Sequence, residues 1–303
     1  MVSIVVKKIK GKEYIYLVDS IRKNKKIIQK TIKYIGAKRP VPNEEFECMK
    51  FSYKKKDWIL NDFKDCLSYQ DHNELKEASD FYSNYLSKLD KVSKEKEKFL
   101  SVFISNSNAI EGSTLTVKET FDFLFKDAVP RNHTKKELNM ASNLFEAWKY
   151  LENNYKEFPS KNHLFQLHKL VNKGVEEEET LGKYKKNQNY VGNSYTTSHL
   201  FVEEKMNQLF FWMKKALKKI DDFETAFQSH AQFEIIHPFI DGNGRVGRLL
   251  MNWILMMKSL QPLAIHSKKR SVYINSLDNS RQGSLKDICK FCFNEYKEQY
   301  KFA

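Results

Sequence analysis

Residues that cross-link or interrupt a chain are scarce in this sequence of 303 residues, which contains 4 cysteines, 10 glycines and 6 prolines. Four cysteines are too few for a disulfide framework, and such usage is typical of a reducing compartment. So little glycine and proline argues against an all-β architecture, because such folds need many tight turns. We therefore expect a mainly α-helical protein without disulfide bonds.

Long apolar runs are missing as well. No stretch approaches 18 consecutive apolar residues, so neither a transmembrane helix nor a membrane partner is predicted. The first residues place lysines after a short apolar run, which is not the order of a secretory signal peptide. The expected location of the chain is the cytoplasm.

Cys289 and Cys292 form a lone CxxC pair in a segment with helical spacing. A zinc site would need two more ligands, and Cys48 and Cys66 are far away in the sequence. We interpret Cys289 and Cys292 as small buried apolar residues.

Positive charge is abundant, with 52 Lys and Arg against 38 Asp and Glu and a formal net charge of +14. Residues 1–40 contain twelve basic and two acidic residues, a net +10, which leaves +4 for the other 263. Tyr14, Tyr16 and Tyr34 are interleaved with these lysines. Two interpretations stay open: a module that binds nucleic acid by base stacking and phosphate contacts, or the solvated face of a lysine-rich sheet.

Residues 1–40 also differ from the rest in their pattern. Runs of β-branched and aromatic residues are separated by turn-forming segments at Lys10–Lys12 and Ser20–Lys25. We predict a small basic β module, a three-stranded meander, followed by a linker at Pro40 and Pro42. The predicted strands are Ser3–Ile9, Tyr14–Val18 and Lys26–Ile35.

From about residue 44 the apolar residues recur at steps of three and four, as at Leu75, Ala78 and Tyr82, which is typical of amphipathic helices. We predict a linker and helical region over 41–92, a helical domain over 93–280 and a C-terminal helix within 281–303. The predicted helices beyond residue 92 are 93–110, 117–126, 134–155, 161–173, 203–219, 222–236, 245–259 and 284–300.

Residues 186–202 interrupt the helical pattern. They are polar, β-branched and aromatic, and Gly192-Asn193 lies near their centre. This composition predicts a β-hairpin inserted into the helical domain.

The segment HPFIDGNGRVGR, residues 237–248, separates two apolar helical runs. Pro238 disfavours helix at the residue before it, so the first helix, an amphipathic one, should end at His237. A new apolar run at helical spacing begins after Arg245 and belongs to the helix predicted over 245–259. Between them, Gly242 and Gly244 allow successive N–H groups to point into one concavity beside the start of the second helix, where an anion is favoured.

The polar side chains of this segment suit phosphate chemistry. Arg245 and Arg248 lie about one helical turn apart and add positive charge. Asp241 offers the hard oxygen ligand that Mg²⁺ prefers. His237 has a pKa suited to proton transfer near neutral pH. A phosphate-binding loop, a metal carboxylate and a base within twelve residues indicate phosphoryl or nucleotidyl transfer.

The same segment resembles the signature of the Fic family, HPFx(D/E)GNGRxxR, at every specified position. The resemblance implies a Fic-type helical bundle with a β-hairpin flap, here preceded by the β meander. It also implies a protein adenylyltransferase, which transfers AMP from ATP to a hydroxyl of a target protein.

The resemblance also implies a role for each motif residue. His237 would be the catalytic base, and Asp241 would hold Mg²⁺ on the α- and β-phosphates. Phe239 would anchor the loop in the core. The nucleotide-binding residues would be Gly242, Asn243 and Gly244, which form the anion hole, Arg248 on the outer phosphates, and Arg245 in support.

A second motif lies upstream. Ser107, Glu111 and Gly112 match the inhibitory motif (S/T)xxxE(G/N) of the same family, within an inhibitory helix at about 93–111. The resemblance implies that Glu111 occupies Arg248 through a bidentate ion pair and keeps ATP out of its productive orientation. The expected enzyme is therefore autoinhibited.

A third resemblance covers the predicted hairpin. Residues 181–185 resemble the GxYR segment that precedes the family's flap, although Lys185 replaces the usual Arg. The flap would bind an extended target segment by strand addition; an ordinary surface hairpin is the alternative. Tyr273 resembles a residue that lines the nucleotide pocket, or it is a packed helix aromatic. The predicted flap residues are Tyr190, Val191, Gly192, Asn193, Ser194 and Tyr195.

Several alternatives stay open. A Fic-type enzyme that uses another nucleotide or removes AMP fits the same motif, as does modification of the protein by itself. Phe210, Phe211 and Trp212 are apolar enough for a homodimer contact or for the core. The target protein is not identifiable from the sequence.

Overall fold

A computed structural model describes residues 1–23, 26–54, 63–89, 92–192 and 194–300. The chain is about 59% helical, and its described part contains eleven α-helices and five β-strands. None of the helices in these ranges is long and apolar enough to cross a membrane. The predicted mainly α fold with a small β meander is confirmed.

The meander is an antiparallel sheet of strands β1 (Val2–Ile9), β2 (Lys12–Lys23) and β3 (Lys26–Ala37), in that order. Lys10 and Gly11 form the first turn, with φ values of 47° and 80° that match the twist of a two-residue hairpin. The predicted turn at Ser20–Lys25 was placed too early. Strand β2 continues to Lys23 because Ile21 and Arg22 still pair with Ile28 and Ile27.

One face of the sheet packs onto helix α1 (Asn43–Lys54). Leu17 is fully buried against Met49 of this helix and against Phe201, at the start of a later helix. A three-stranded sheet is marginal alone, so this contact provides the apolar surface that it needs.

The helices that were predicted beyond residue 92 follow in the predicted order, and their ends differ from the predictions by a few residues at most. Thr116, Thr134 and Ser160 each begin a helix with a capping box, in which the side chain and the third helical residue satisfy free N–H groups reciprocally. The helices are α2 (Tyr69–Ser87), α3 (Val92–Ile110), α4 (Val117–Phe125), α5 (Lys135–Asn154), α6 (Lys161–Asn172), α7 (Val202–Ala216), α8 (Asp222–Ile236), α9 (Asn243–Met257), α10 (Arg270–Gln282) and α11 (Lys286–Gln299).

Helix α10 was not predicted. Its buried face contains Ser276, Ser280 and Arg281 beside two apolar residues, so the apolar periodicity is too weak to recognise. Polar groups on that face are satisfied within the fold: Arg281, for example, donates to the carbonyl oxygen of Glu234 at 3.2 Å.

Helix α8 is buried on all sides, whereas the sequence predicted an amphipathic helix. Every residue from Phe223 to Ile236 is buried, and α8 packs against α7, α9, α10 and α11. Glu224, one of its buried polar residues, accepts the N–H groups of Cys66 and Leu67. A central helix of this kind holds whatever follows its C-terminal end in a fixed position.

The other predictions about packing concern the CxxC pair and the apolar run of residues 210–212. Cys289 and Cys292 are buried, as predicted for apolar core residues. Trp212 is buried, Phe210 is half-buried and Phe211 is 59% exposed, so the core takes only part of this run. The hairpin consists of β4 (Tyr190–Val191) and β5 (Ser194–Tyr195).

Candidate active site

His237 follows the last residue of helix α8, where the sequence predicted the helix to end. Its backbone is left-handed, with φ 52° and ψ 61°, and its N–H donates to the carbonyl oxygen of Phe233 at 2.8 Å. This conformation is uncommon for a residue with a side chain and occurs often at functional sites. It turns the chain sharply into the loop that joins α8 and α9.

Asn243 closes this loop on itself. Its side-chain oxygen accepts the N–H of Phe239 at 2.8 Å, and its amide donates to the carbonyl oxygen of Phe239 at 2.9 Å. Helix α9 begins at Asn243, two residues before the predicted start, because Gly242 supplies the left-handed backbone (φ 75°) that precedes it. No side chain caps Gly242, so the first N–H groups of α9 remain directed at an anion.

Close packing explains the glycines of the segment. A Cβ atom on Gly242 would lie 2.4 Å from Nδ2 of Asn172, and one on Gly244 would lie 2.2 Å from Oε1 of Glu111. Gly247, which the sequence analysis did not single out, is equally restricted: its Cβ would lie 2.6 Å from Oε1 of Glu234. At Gly242 and Gly247 a Cβ would meet a buried side chain, whereas at Gly244 it would meet the end of the flexible Glu111 side chain.

Arg248 and Glu111 meet in the structure, although they are 137 residues apart in sequence. Nη2 of Arg248 donates to Oε1 of Glu111 at 2.7 Å, but the predicted bidentate pair does not form. The guanidinium also binds Ser107, whose Oγ accepts from Nε at 2.8 Å and whose carbonyl oxygen accepts from Nη2 at 2.9 Å. Burial opposes the charge, yet Glu111 and its hydrogen bond raise the pKa of Arg248 above its ordinary value.

Gly112 shapes the end of helix α3 beside Arg248. Its φ of 101° breaks the helix immediately after Glu111, and Nε of Arg270 binds the carbonyl oxygen of Ile110 at 2.8 Å. The carboxylate of Glu111 remains one-third exposed. It therefore faces the open side of the loop from the helix terminus.

Arg245 supports the loop from within the protein. Its Nη2 donates to Oδ1 of Asn172 at 3.0 Å, and its side chain is 2% exposed. Asp241 lies 3.6 Å from the same nitrogen, and 54% of its side chain is exposed. Arg245 thus braces the loop, while the carboxylate of Asp241 keeps most of its lone pairs accessible.

His168 and Asn172 of helix α6 are functional candidates that the sequence analysis missed. Nδ1 of His168 accepts the N–H of Gly182 at 2.9 Å, so the proton is on Nε2, which lies 3.1 Å from the carbonyl oxygen of Asp241. Burial lowers the pKa of His168 to about 4, and its ring stacks on Phe239 at 4.0 Å. A neutral histidine thus fixes the position of Asp241; no local motif marks it in the sequence.

A second carboxylate lies near Asp241. The pKa of this group, Glu176, is raised above its ordinary value. Burial is the larger cause of this rise, and the neighbouring carboxylate of Asp241 adds to it.

Behind His237 lies a buried polar group formed by Glu234, His230 and Tyr273. Oε2 of Glu234 is 3.6 Å from Nδ1 of His237, and that nitrogen has no hydrogen-bond partner among the described residues. Burial favours the neutral acid, but His237, His230 and Arg281 outweigh it and lower the pKa of Glu234 to about 2. The carboxylate therefore stays ionised beside the histidine.

Tyr273 is 1% exposed, and its hydroxyl lies 2.7 Å from Nε2 of His230. This environment is that of a packed helix aromatic. A role in lining the nucleotide pocket stays a prediction.

The hairpin is joined at its base to the loop between α8 and α9. Asn189 donates to the carbonyl oxygens of Phe239 at 2.7 Å and Ile240 at 3.2 Å. Lys185 is buried, and its Nζ donates to Oδ1 of Asn189 at 2.6 Å and to Oγ1 of Thr196 at 2.8 Å. The lysine at the position of the usual Arg therefore holds the hairpin rather than a phosphate.

At the tip, Tyr190 pairs with Tyr195 and Val191 pairs with Ser194. Gly192 has a φ of 54°, as a two-residue turn requires. Asn193, which was predicted among the flap residues, lies outside the described residues. Both tyrosines are partly exposed, at 46% and 36%.

Residues 158–255 match the model of the Fic/DOC family. Protein adenylyltransferase Fic of Nematostella vectensis is 30% identical over 225 residues, which cover 67% of this chain and 52% of that protein. Protein adenylyltransferase fic-1 of Caenorhabditis elegans is 27% identical over 198 residues, 63% of this chain and 38% of that protein. The chain thus spans about half the length of these curated relatives, or less.

Solved structures show the same fold. Fic-1 of C. elegans (residues 134–508) superposes with a TM-score of 0.67 at 22% identity, covering 76% of this chain and 71% of that one. A Fic-domain signalling protein of Bacteroides thetaiotaomicron gives a TM-score of 0.66 at 24% identity, covering 76% and 95%. By its signature loop, its family match and its fold, the chain belongs to the Fic family.

Proposed function

We propose that the protein is an autoinhibited adenylyltransferase that transfers AMP from ATP to a hydroxyl side chain of a target protein. The observation that carries the proposal is the convergence of His237, the uncapped start of helix α9 and two buried arginines on one loop. The curated relatives, which are named protein adenylyltransferases, support it.

The phosphates of ATP would bind at the start of helix α9. The N–H groups of Gly242, Asn243 and Gly244 supply donors there, reinforced by the helix dipole. The side chain of Asn243 is fully engaged with Phe239, so its share in the anion hole is its backbone N–H. Arg248 lies one turn further along α9 and would bind the outer phosphates.

Asp241 fits the metal ligand that the family implies. Its carboxylate is half-exposed, its nearest cation is 3.6 Å away, and a second carboxylate at Glu176 adds negative charge. Mg²⁺ bound there would neutralise charge on the phosphates and orient them. The role of this chain is to hold the carboxylate still, through the contacts of His168 and Asn172 with the backbone of Asp241.

His237 would act as the general base. The carboxylate of Glu234, 3.6 Å from Nδ1, would favour the proton on that nitrogen and leave the lone pair of Nε2 free to take the proton of the target hydroxyl. The hydroxyl oxygen forms a bond to the α-phosphorus as the bond between that phosphorus and the bridging oxygen breaks, and pyrophosphate leaves. The ionised Glu234 stabilises the imidazolium that results.

Glu111 would inhibit this reaction through Arg248. While the ion pair at 2.7 Å is in place, the guanidinium is shared by Glu111 and Ser107 and is not available to the outer phosphates. Released from Glu111, Arg248 keeps its contacts with Ser107 and stays oriented. Relief of the proposed inhibition would therefore require movement of only the Glu111 carboxylate.

Transfer from ATP with a tagged adenine tests the proposal on the full chain and on proteins of a native lysate. Glu111→Gly should raise labelling about tenfold or more, in proportion to the bias that one buried ion pair supplies. His237→Ala in the Glu111→Gly background should remove it. Glu157→Gly, a change of an exposed glutamate after helix α5, is the matched control and should leave labelling unchanged.

Mass spectrometry of the product distinguishes the alternatives. The loop offers backbone N–H groups and Arg248, which suit phosphates and do not distinguish one nucleobase from another. An enzyme that uses a nucleotide other than ATP is therefore the second candidate. A mass increment different from that of AMP, or labelling that persists in His237→Ala, would contradict the proposal. Release of free AMP from a pre-labelled protein would indicate hydrolytic removal of AMP instead of transfer.

A further inference from the structure

The N-terminal sheet has a face that the packing of the fold does not use. We call it the tyrosine face, formed by Tyr14, Tyr16, Tyr34 and Lys7. The ring centroids of Tyr14 and Tyr16 lie 6.0 Å and 5.3 Å from that of Tyr34, and Nζ of Lys7 lies 4.9 Å from the centroid of Tyr16. Tyr34 is 51% exposed.

Alternation along strand β2 turns this face away from the helical domain. Tyr14 and Tyr16 are partly exposed, whereas Ile15 and Leu17 between them are 2% and 0% exposed on the side that packs onto helix α1. The tyrosines therefore contribute little to anchoring the sheet. Three aromatic rings on a solvent-facing sheet surface need another explanation.

Charge is segregated between the two faces. The two carboxylates of residues 1–40, Glu13 and Asp19, alternate with the tyrosines and lie on the opposite face. Both are neutralised there: Lys38 binds Glu13 at 2.9 Å, and the N-terminal amine binds Asp19 at 2.9 Å. The register places Lys7 beside Tyr14 on the tyrosine face, which is left with basic charge only.

We propose that the tyrosine face binds single-stranded nucleic acid. Exposed aromatic rings stack on unpaired bases, and lysines beside them contact the phosphates, a combination that binds single strands with little sequence preference. A duplex hides the faces of its bases, so it can use the charge but not the rings. The net charge of +10 on residues 1–40 is complementary to a polyanion.

This binding is separate from the proposed transfer reaction, because no residue of the α8–α9 loop takes part in it. His237→Ala should bind an oligonucleotide as tightly as the wild type. The two proposals can therefore fail independently.

Fluorescence anisotropy on the full chain tests the proposal with labelled oligo(dT), oligo(rU) and a duplex of equal length. Both single strands should bind more tightly than the duplex. Affinity should fall as salt rises from about 50 to 200 mM, with a log–log slope of about −0.7 for each phosphate contacted. Lys7→Gln should reduce that slope by about 0.7, whereas Lys156→Gln, at an exposed lysine of the helical domain, should not change it.

Variants at Tyr34 separate stacking from charge. Tyr34→Ala should weaken single-strand binding about fivefold or more, while Tyr34→Phe keeps the ring and should bind as the wild type does. Tyr69→Ala, which removes an 81% exposed tyrosine from the start of helix α2, is the matched control. Circular dichroism would verify that each variant is folded.

Three results would overturn the proposal. Salt-independent or absent binding would remove it. Equal affinity for the duplex, or a Tyr34→Ala variant that binds like Tyr69→Ala, would show that the rings do not stack on bases. Equal binding to heparin or to anionic phosphatidylserine vesicles would show a general polyanion surface.

Discussion

The loop between helices α8 and α9 and the hairpin beside it are built in opposite ways. Around the loop, Asn243, Arg245 and Arg248 are at most 2% exposed, and each makes defined hydrogen bonds. In the hairpin, the strands are two residues long and both tyrosines are partly exposed. A reaction site must have the same geometry in every turnover. A surface that binds extended target segments benefits instead from being able to change its shape.

The two regions are nevertheless connected. Asn189 binds two carbonyl oxygens of the loop, and the N–H of Lys185 donates to the carbonyl oxygen of Pro238 at 2.9 Å. The base of the hairpin is therefore as fixed as the loop, and only its tip is lightly held. A target segment added to the tip would arrive at a set position relative to His237.

The largest expected effect is on kcat and concerns Glu234, which lies behind His237 at the start of the α8–α9 loop. Glu234→Gln, in the Glu111→Gly background, should lower kcat about 100-fold, because the imidazolium of His237 loses its counter-charge and the tautomer is no longer enforced. KM for ATP should stay unchanged, since Glu234 lies behind the histidine. The acid limb of the pH profile of kcat/KM should move to lower pH.

Glu224→Gln is the matched control on the same helix. Glu224 is buried like Glu234, but it binds the backbone of Cys66 and Leu67 far from the site. Its loss should reduce stability and leave the acid limb in place. If both variants behave alike, Glu234 has only a structural role.

The second prediction compares a glycine of each region. Gly247→Ala should lower the free energy of unfolding by about 1–3 kcal/mol, because its Cβ would lie 2.9 Å from Nδ1 of His230 and 3.1 Å from Cδ1 of Phe233. Gly192→Ala meets no neighbour within 4 Å and costs only the left-handed backbone, about 1 kcal/mol. Urea denaturation measures both, and equal losses would contradict the contrast.

Sequence reasoning succeeded where a local rule decides the structure. Pro238 placed His237 at a helix end, and apolar periodicity located most helices within a few residues. It failed where distant segments meet: His168, Asn172 and Glu234 carry no motif, and their roles arise from contacts with the loop. Helix α8 was misjudged because its polar residues, such as Glu224 and Gln228, are buried in the core and not exposed to solvent.

The smallest expected effect concerns the base of the hairpin and depends on pH. Burial lowers the pKa of Lys185 to about 7, whereas in the unfolded chain it is about 10.4. Between these values the unfolded state binds more protons than the folded state, so stability rises with pH from about 7 to 10. The melting temperature of the wild type should therefore rise across this window relative to that of Lys185→Met, by roughly 2 °C or more.

Lys185→Met lacks the two hydrogen bonds that Nζ makes in the wild type, so its absolute stability differs for that reason alone. The quantity to compare is therefore the slope of the melting temperature against pH. Lys186→Met, at the exposed neighbouring lysine, should retain the wild-type slope. Arginine would keep its charge throughout the window, so Lys185→Arg should also flatten the slope, but by fixing the charged form. Parallel slopes in all four proteins would mean that the amine of Lys185 is hydrated and that the hairpin is loosely held at its base as well as at its tip.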